Sequence, residues 1–132
     1  MLHVGLDLSR RRVDVCVISG EGEAVGHFRC PADRDGLYGL ARRLAVYGEL
    51  VRAVIESMNG ARYVHDELVR YGWEVLVADA QRVKGLAPLA CKTDKSAWTA
   101  AHPRAMKCLL QGLVRSPGNL ARLTRRARSP CR

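Results

Sequence analysis

Five short apolar segments, rich in β-branched residues, constrain the fold of this chain most strongly. The first three follow one another with only tight turns between them, the second turn being Gly20-Glu21-Gly22. The last two are separated from their predecessors by stretches long enough for helices. The predicted strands are residues 3–8, 13–18, 24–30, 50–55 and 73–77.

Two segments with apolar residues at helical spacing separate the later strands. Asp33 is a suitable N-cap for a helix that runs to about Tyr47. A second helix is predicted to open at Asn59-Gly60 and to close at Gly72, which suits the C′ position. The expected apolar stripes are Leu37, Leu40, Ala41, Leu44 and Ala45 in the first helix and Tyr63, Val64, Leu68 and Val69 in the second.

The order of these elements predicts an α/β fold. With a short third helix expected over residues 81–89, the order is βββαβαβα. Three strands joined by hairpins and followed by right-handed crossovers give a mixed five-stranded sheet with flanking helices, which is the ribonuclease H-like arrangement. In that arrangement the first strand lies in the centre of the sheet, parallel to the fourth.

The positive charge is concentrated at the end of the chain. The net charge is +9, yet residues 1–94 contain 13 basic and 13 acidic side chains, whereas residues 95–132 contain nine basic and no acidic ones. A basic segment can bind phosphates through counterion release. A solvated extension, or translation in the wrong frame of a GC-rich gene, is the favoured explanation. We therefore expect a folded domain over residues 1–96 and a poorly packed basic tail over residues 97–132.

Other bulk features favour an ordinary intracellular protein. The five cysteines are widely spread and show no zinc-site spacing, so inert thiols are expected. No apolar run reaches the roughly 18 residues of a membrane span, and the first residues do not resemble a signal peptide. These features predict a cytoplasmic location without membrane contact.

Acidic residues at strand positions provide the candidate chemistry. Asp7 lies between Leu6 and Leu8, where burial of a carboxylate is costly without a partner or a metal, and Glu56 ends the fourth strand. On adjacent parallel strands both would emerge at one edge, and hard oxygen ligands suit Mg²⁺ or Mn²⁺. Asp94 could complete the cluster. Two ions about 4 Å apart can activate the attacking oxygen and stabilise the leaving oxygen of a phosphodiester; the alternative is solvated strand ends.

Four stretches of the chain form a recognisable set. They are Val4-Gly5-Leu6-Asp7-Leu8-Ser9 with Val13-Asp14-Val15, Ile55-Glu56-Ser57-Met58-Asn59-Gly60 with Tyr63, residues 72–75 with 78–84, and Lys92-Thr93-Asp94-Lys95. Together they resemble the DEDD transposases of the insertion-sequence 110 family, over about residues 3–96. The resemblance implies a RuvC-like amino-terminal catalytic domain for metal-dependent DNA strand cleavage and transfer. It assigns Asp7, Glu56 and Asp94 to the first three acidic positions of a two-ion site.

The resemblance also implies partners. These are the DNA of transposon ends and target, a structured guide RNA, and further copies of the chain in the intact protein. Arg10, Arg11 and Arg12, beside the metal edge, and Lys92 and Lys95, beside Asp94, are candidate nucleic-acid contacts. An exposed turn explains the three arginines equally well, and a solvated loop explains the two lysines.

One position departs from the family pattern. The fourth acid would stand three residues after Asp94, where this chain has Ala97, which offers no ligand atom. The family's carboxy-terminal domain with its nucleophilic serine has no counterpart in this sequence. We therefore expect an inactive fragment, with a frameshift or truncation near residue 96.

Two other functions remain open. Gly5-x-Asp7-x-Ser9 followed by Gly20-x-Gly22 also resembles the first phosphate loop of sugar-kinase-type ATP-binding proteins. Those proteins need a second glycine-rich phosphate segment, which this sequence lacks. The remaining alternative is a non-catalytic module that binds nucleic acid through the basic tail.

Overall fold

The computed structural model describes residues 1–78 of the chain. The elements within them are β1 (Leu2–Leu8), β2 (Arg12–Ile18), β3 (Ala24–Pro31), α1 (Arg34–Ala45), β4 (Val51–Glu56), α2 (Ala61–Arg70) and β5 (Glu74–Ala78). Their type and order confirm the prediction up to this point. The third predicted helix and the basic tail lie outside the described residues.

The five strands form one mixed sheet in the order β3-β2-β1-β4-β5. β1 pairs antiparallel with β2 and parallel with β4, and β4 pairs parallel with β5. The prediction that β1 lies at the centre, parallel to the fourth strand, is confirmed. The crossover through α1 carries the chain from β3, in the antiparallel half of the sheet, to β4, and the crossover through α2 joins β4 to its parallel neighbour β5.

Both helices pack on the same face of the sheet. Side chains alternate between the two faces of a strand, and the helix-side face carries Leu6, Val15 and Ile55, all fully buried. These join the buried residues of α1 and α2 in one apolar cluster. Since a fully buried Leu, Ile or Val contributes roughly 1.5–3 kcal/mol, this layer is the main source of stability for residues 1–78.

The buried stripes of the helices are narrower than predicted. Within α1 they are Leu37, Leu40, Ala41 and Leu44, and within α2 the apolar ones are Ala61, Val64 and Leu68. Ala45 is exposed because it is the last residue of α1, at the rim of the stripe. Tyr63 and Val69 are each 45% exposed because they flank the row 61, 64, 68 that faces the sheet.

The helix ends follow the predicted capping residues. The Asp33 carboxylate accepts a hydrogen bond from the Gly36 backbone N–H at 2.8 Å, which caps α1. Gly72 adopts φ +85° after α2, a conformation that disfavours side chains with a Cβ. Its N–H donates to Val69 and that of Trp73 donates to Leu68, which together form a Schellman motif.

Two further expectations can be compared with the described residues. Cys16 is buried and Cys30 partly buried, and burial raises the pKa of Cys30, which disfavours the reactive thiolate. The expectation of inert thiols stays a prediction. Between residues 1 and 78, no helix has the length and apolarity that a membrane crossing needs.

Candidate active site on the sheet face opposite the helices

A row of charged residues crosses the sheet at one level. The strand registers pair Arg29 with Asp14 and Asp14 with Asp7. Leu6 pairs with Ile55, and Asp7 and Glu56 are the next residues of their strands. We call Arg29, Asp14, Asp7 and Glu56 the charged row; it lies on four neighbouring strands.

The charged row lies on the face of the sheet opposite the helices. Leu6 and Leu8, which flank Asp7, both belong to the helix-side cluster, so the Asp7 side chain projects from the other face. Glu56 follows Ile55 of the same cluster and therefore shares that face. Both acids are partly buried. The structure thus places Asp7 and Glu56 on one face of two neighbouring strands, and their shared role as cation ligands stays a prediction.

Three carboxylates on adjacent strands make this face electrostatically unfavourable without cations. Neighbouring strands are about 4.8 Å apart, and like charges directly opposite each other are destabilising. Asp14 is compensated, since its Oδ1 accepts a hydrogen bond from Arg29 Nε at 2.8 Å and its Oδ2 forms an ion pair with Arg12 Nε at 3.3 Å. Within residues 1–78 the Glu56 carboxylate has no ion-pair partner. Glu56 is therefore the carboxylate of the row that a divalent cation would stabilise most.

The backbone beside Glu56 is fixed by its neighbours. The Ser57 N–H donates to the Ala78 carbonyl at 2.8 Å, which extends the β4–β5 pairing past the end of β4. Gly60 then starts α2 with φ +88°, and a Cβ there would lie 3.4 Å from Leu8 Cδ2. The β4–α2 loop thus packs against the end of β1. This contact holds the carboxyl ends of β1 and β4 together.

The turn between β1 and β2 presents the predicted arginines. Arg10 and Arg11 are exposed. Ser9 braces the turn through its N–H and Oγ, which both donate to the Arg12 carbonyl at 2.9 and 3.0 Å. The Ala32 N–H donates to the Arg11 carbonyl at 3.2 Å, which ties the turn to the β3–α1 connection. The arginines therefore stand on a braced turn beside the carboxyl end of β1.

The remaining predicted site residues lie outside the described residues. These are Asp94, Lys92 and Lys95. Across positions 1–78, no group of three or more His, Cys, Asp or Glu side chains is placed to hold a metal ion. The three-acid cluster therefore stays a prediction, of which the described residues supply two members.

Sequence reasoning missed Asp14 and Arg29 as members of this surface, whereas Arg12 was among the candidate nucleic-acid contacts of the first turn. A signal was present, because the alternation of β2 puts Asp14 on the face opposite Val13 and Val15. The pairing with Arg29 depends on the register of the β2–β3 hairpin. That register contains an irregularity between Val17 and Ile18, which the residue types do not reveal.

The fold and this surface define an α/β protein with a ribonuclease H-like sheet whose central strands carry acidic residues. A model of the insertion-sequence 110 type DEDD family, described as "Transposase", matches residues 4–127. The chain belongs to this transposase family, and its substrate class is accordingly DNA. No curated protein matches the chain.

The family match confirms the resemblance seen in the sequence. It favours the transposase hypothesis over the sugar-kinase and non-catalytic alternatives. The match covers positions on both sides of residue 96. The boundary between a folded domain and the basic tail stays a prediction.

Proposed function

We propose that Asp7 and Glu56 form part of a divalent-cation site for DNA strand cleavage and transfer, with Asp94 as a further ligand. The observation that carries the proposal is the position of the two acids directly after the register pair Leu6 and Ile55 on parallel neighbouring strands, on the face opposite the helices. Membership of the transposase family supplies the substrate class. We assign the reaction on this substrate to the side chains of Asp7 and Glu56.

The donor set fits Mg²⁺ or Mn²⁺. Mg²⁺ is commonly held by one or two carboxylates, with waters and substrate phosphates completing the octahedron. Asp7 and Glu56 are partly buried, so water and a phosphate can reach them. When bound, such ions would neutralise charge that develops on the phosphate and activate the attacking oxygen.

The residues of the protein hold and orient the reacting strand in this proposal. Asp7 and Glu56 fix the level on the sheet at which the scissile phosphate lies. Arg10 and Arg11, on the braced turn at the same end of β1, contact the DNA backbone. Lys92 and Lys95 are assigned the same role beside Asp94. Backbone contacts of this kind position the strand and do not read its sequence.

The proposed site is incomplete in this chain. Ala97 occupies the position of the fourth acid and has no oxygen to offer a cation. We therefore expect cation and DNA binding without detectable strand transfer. The guide RNA, homo-oligomerisation and a cytoplasmic location belong to the proposal as properties that the family resemblance or the sequence implies.

Calorimetric titration of the full chain with Mn²⁺ tests the cation site. Asp7→Asn and Glu56→Gln should each weaken Mn²⁺ binding at least about tenfold, because each removes a charged ligand of a small donor set. Asp66→Asn is the matched control, since Asp66 contacts His65 on α2 and lies away from the charged row. Equal affinity in all four proteins would contradict the proposal.

A strand-transfer assay tests whether the site without a fourth acid at position 97 is inactive. The chain should give no product with Mg²⁺ and a DNA substrate that carries transposon ends. Mg²⁺-dependent cleavage that disappears in Asp7→Ala would show that the site is complete without a fourth acid at position 97.

A further inference from the structure

Two arginines share one carboxylate next to the candidate cation site. Arg29 Nε donates a hydrogen bond to Asp14 Oδ1 at 2.8 Å, and Arg12 Nε forms an ion pair with Asp14 Oδ2 at 3.3 Å. The side chains of Arg12 and Arg29 are 56% and 64% exposed, whereas that of Asp14 is only 20% exposed. The cluster carries one excess positive charge, and the part that reaches solvent is cationic. We call Arg12 and Arg29 the arginine pair.

Each arginine of the pair contacts Asp14 through Nε, which leaves the terminal amino groups for another anion. A guanidinium offers five N–H donors, and each bond to Asp14 uses the Nε position. The terminal amino groups can therefore serve a second anion while Asp14 holds the side chain. An arginine that is already held loses less conformational entropy when a phosphate binds.

The position of the arginine pair on the sheet indicates which phosphate of the DNA backbone it would bind. Arg29 is separated from Asp7 by one strand in the charged row, so their backbones are about 10 Å apart. A single DNA strand that passes over the row would meet the acids at one point and Arg29 a short distance further along. Surface ion pairs contribute about 0–1 kcal/mol, so stability alone gives little reason for a second arginine on Asp14.

We propose that the arginine pair, positioned by Asp14, binds a backbone phosphate of the same DNA strand whose reacting phosphate lies at Asp7 and Glu56. This inference rests on the proposed function and extends it to a second point of contact. Asp14 acts as a positioning residue: it orients the two guanidiniums and takes no part in cation binding. The contact is electrostatic and independent of base sequence.

The test is the salt dependence of DNA binding by the full chain in EDTA. Binding of a short fluorescein-labelled single-stranded DNA is followed by anisotropy from about 50 to 300 mM salt. Each phosphate contact to a single strand contributes about 0.7 to the slope of log affinity against log salt. Arg29→Gln should lower the slope by about that amount and weaken binding about fivefold to tenfold at 50 mM salt. The basic tail contributes equally to every variant and cancels.

Arg62→Gln is the matched control. It removes the same charge from α2, where Arg62 is 92% exposed on the other side of the sheet. Equal slopes for Arg29→Gln and Arg62→Gln, in proteins with unchanged circular dichroism, would overturn the inference. Arg29→Lys keeps the positive charge but lacks the planar set of guanidinium N–H donors. Its DNA affinity should therefore lie between those of Arg29→Gln and the wild type.

Two further measurements distinguish failure of the cation site from failure of the phosphate contact. Because the DNA-binding measurement is made in EDTA and the Mn²⁺ titration is made without DNA, loss of the cation site and loss of the phosphate contact are scored independently. A slope change with a matching RNA but not with DNA would contradict the assignment to a DNA strand.

Discussion

Removal of the Glu56 charge should stabilise the metal-free protein. Glu56 lies next to Asp7 across parallel strands, and within residues 1–78 its carboxylate has no ion-pair partner. Like charges directly opposite each other on neighbouring strands cost about 0.2–1 kcal/mol. Glu56→Gln keeps the shape and removes the repulsion, so the free energy of unfolding should rise by about 0.5 kcal/mol.

The expected change is measurable by thermal unfolding. An increase of about 0.5 kcal/mol corresponds to a Tm increase of about 2–3 °C for a chain of this size. Differential scanning fluorimetry in EDTA at neutral pH should show it. With saturating Mn²⁺ the order should reverse, because a ligand at about 100 times its Kd stabilises the wild type by about 2.7 kcal/mol.

The same change at Asp14 provides a control of opposite sign. Asp14→Asn removes the acceptor of two ion pairs, with Arg12 and Arg29, and should lower the Tm in EDTA. The reasoning would be refuted if Glu56→Gln also lowered the Tm in EDTA, since the site would then contain no net repulsion for a cation to relieve.

Three further predictions concern the fold that carries the site. Leu6→Ala should destabilise the protein by about 2–5 kcal/mol in urea denaturation, because Leu6 is fully buried on the central strand; a loss below 1 kcal/mol would contradict this packing. Gly72→Ala should cost about 1–2 kcal/mol in the same assay, because Gly72 adopts φ +85°, and an unchanged midpoint would argue against the Schellman motif. Burial and then the Arg52 guanidinium lower the pKa of His3, so the neutral form is favoured in the folded state. The stability that the neutral His3 imidazole contributes is complete above about pH 6.5. This stability is lost as the pH falls through the lowered pKa of the folded state. The stability of His3→Gln should therefore fall less steeply below pH 6.5, and parallel pH profiles would exclude this role.

The local elements up to residue 78 could be predicted because each has a strong local signal. Alternation defines the strands, Asp33 marks the start of α1, and Gly72 marks the end of α2. The position of Asp7 near Glu56 could be expected once the element order had indicated a ribonuclease H-like sheet, because that arrangement places the fourth strand beside the first. No exact strand register was needed for that step.

The arginine pair could not be predicted in the same way. Its contacts depend on which residue of β3 lies opposite Asp14, and a shift of one residue would put Arg29 on the other face of the sheet. The β2–β3 pairing includes an irregularity that residue types do not specify. The exposure of Tyr63 has a similar origin, because helical periodicity gives the centre of a stripe more reliably than its width.

The most direct test of the account is the anomalous scattering of Mn²⁺ in crystals of the full chain. The account predicts a peak on the face opposite the helices, with oxygens of Asp7 and Glu56 both within about 2.2 Å of the ion. A peak bound elsewhere, or side chains at positions 7 and 56 that point to separate regions with no ion between them, would contradict it.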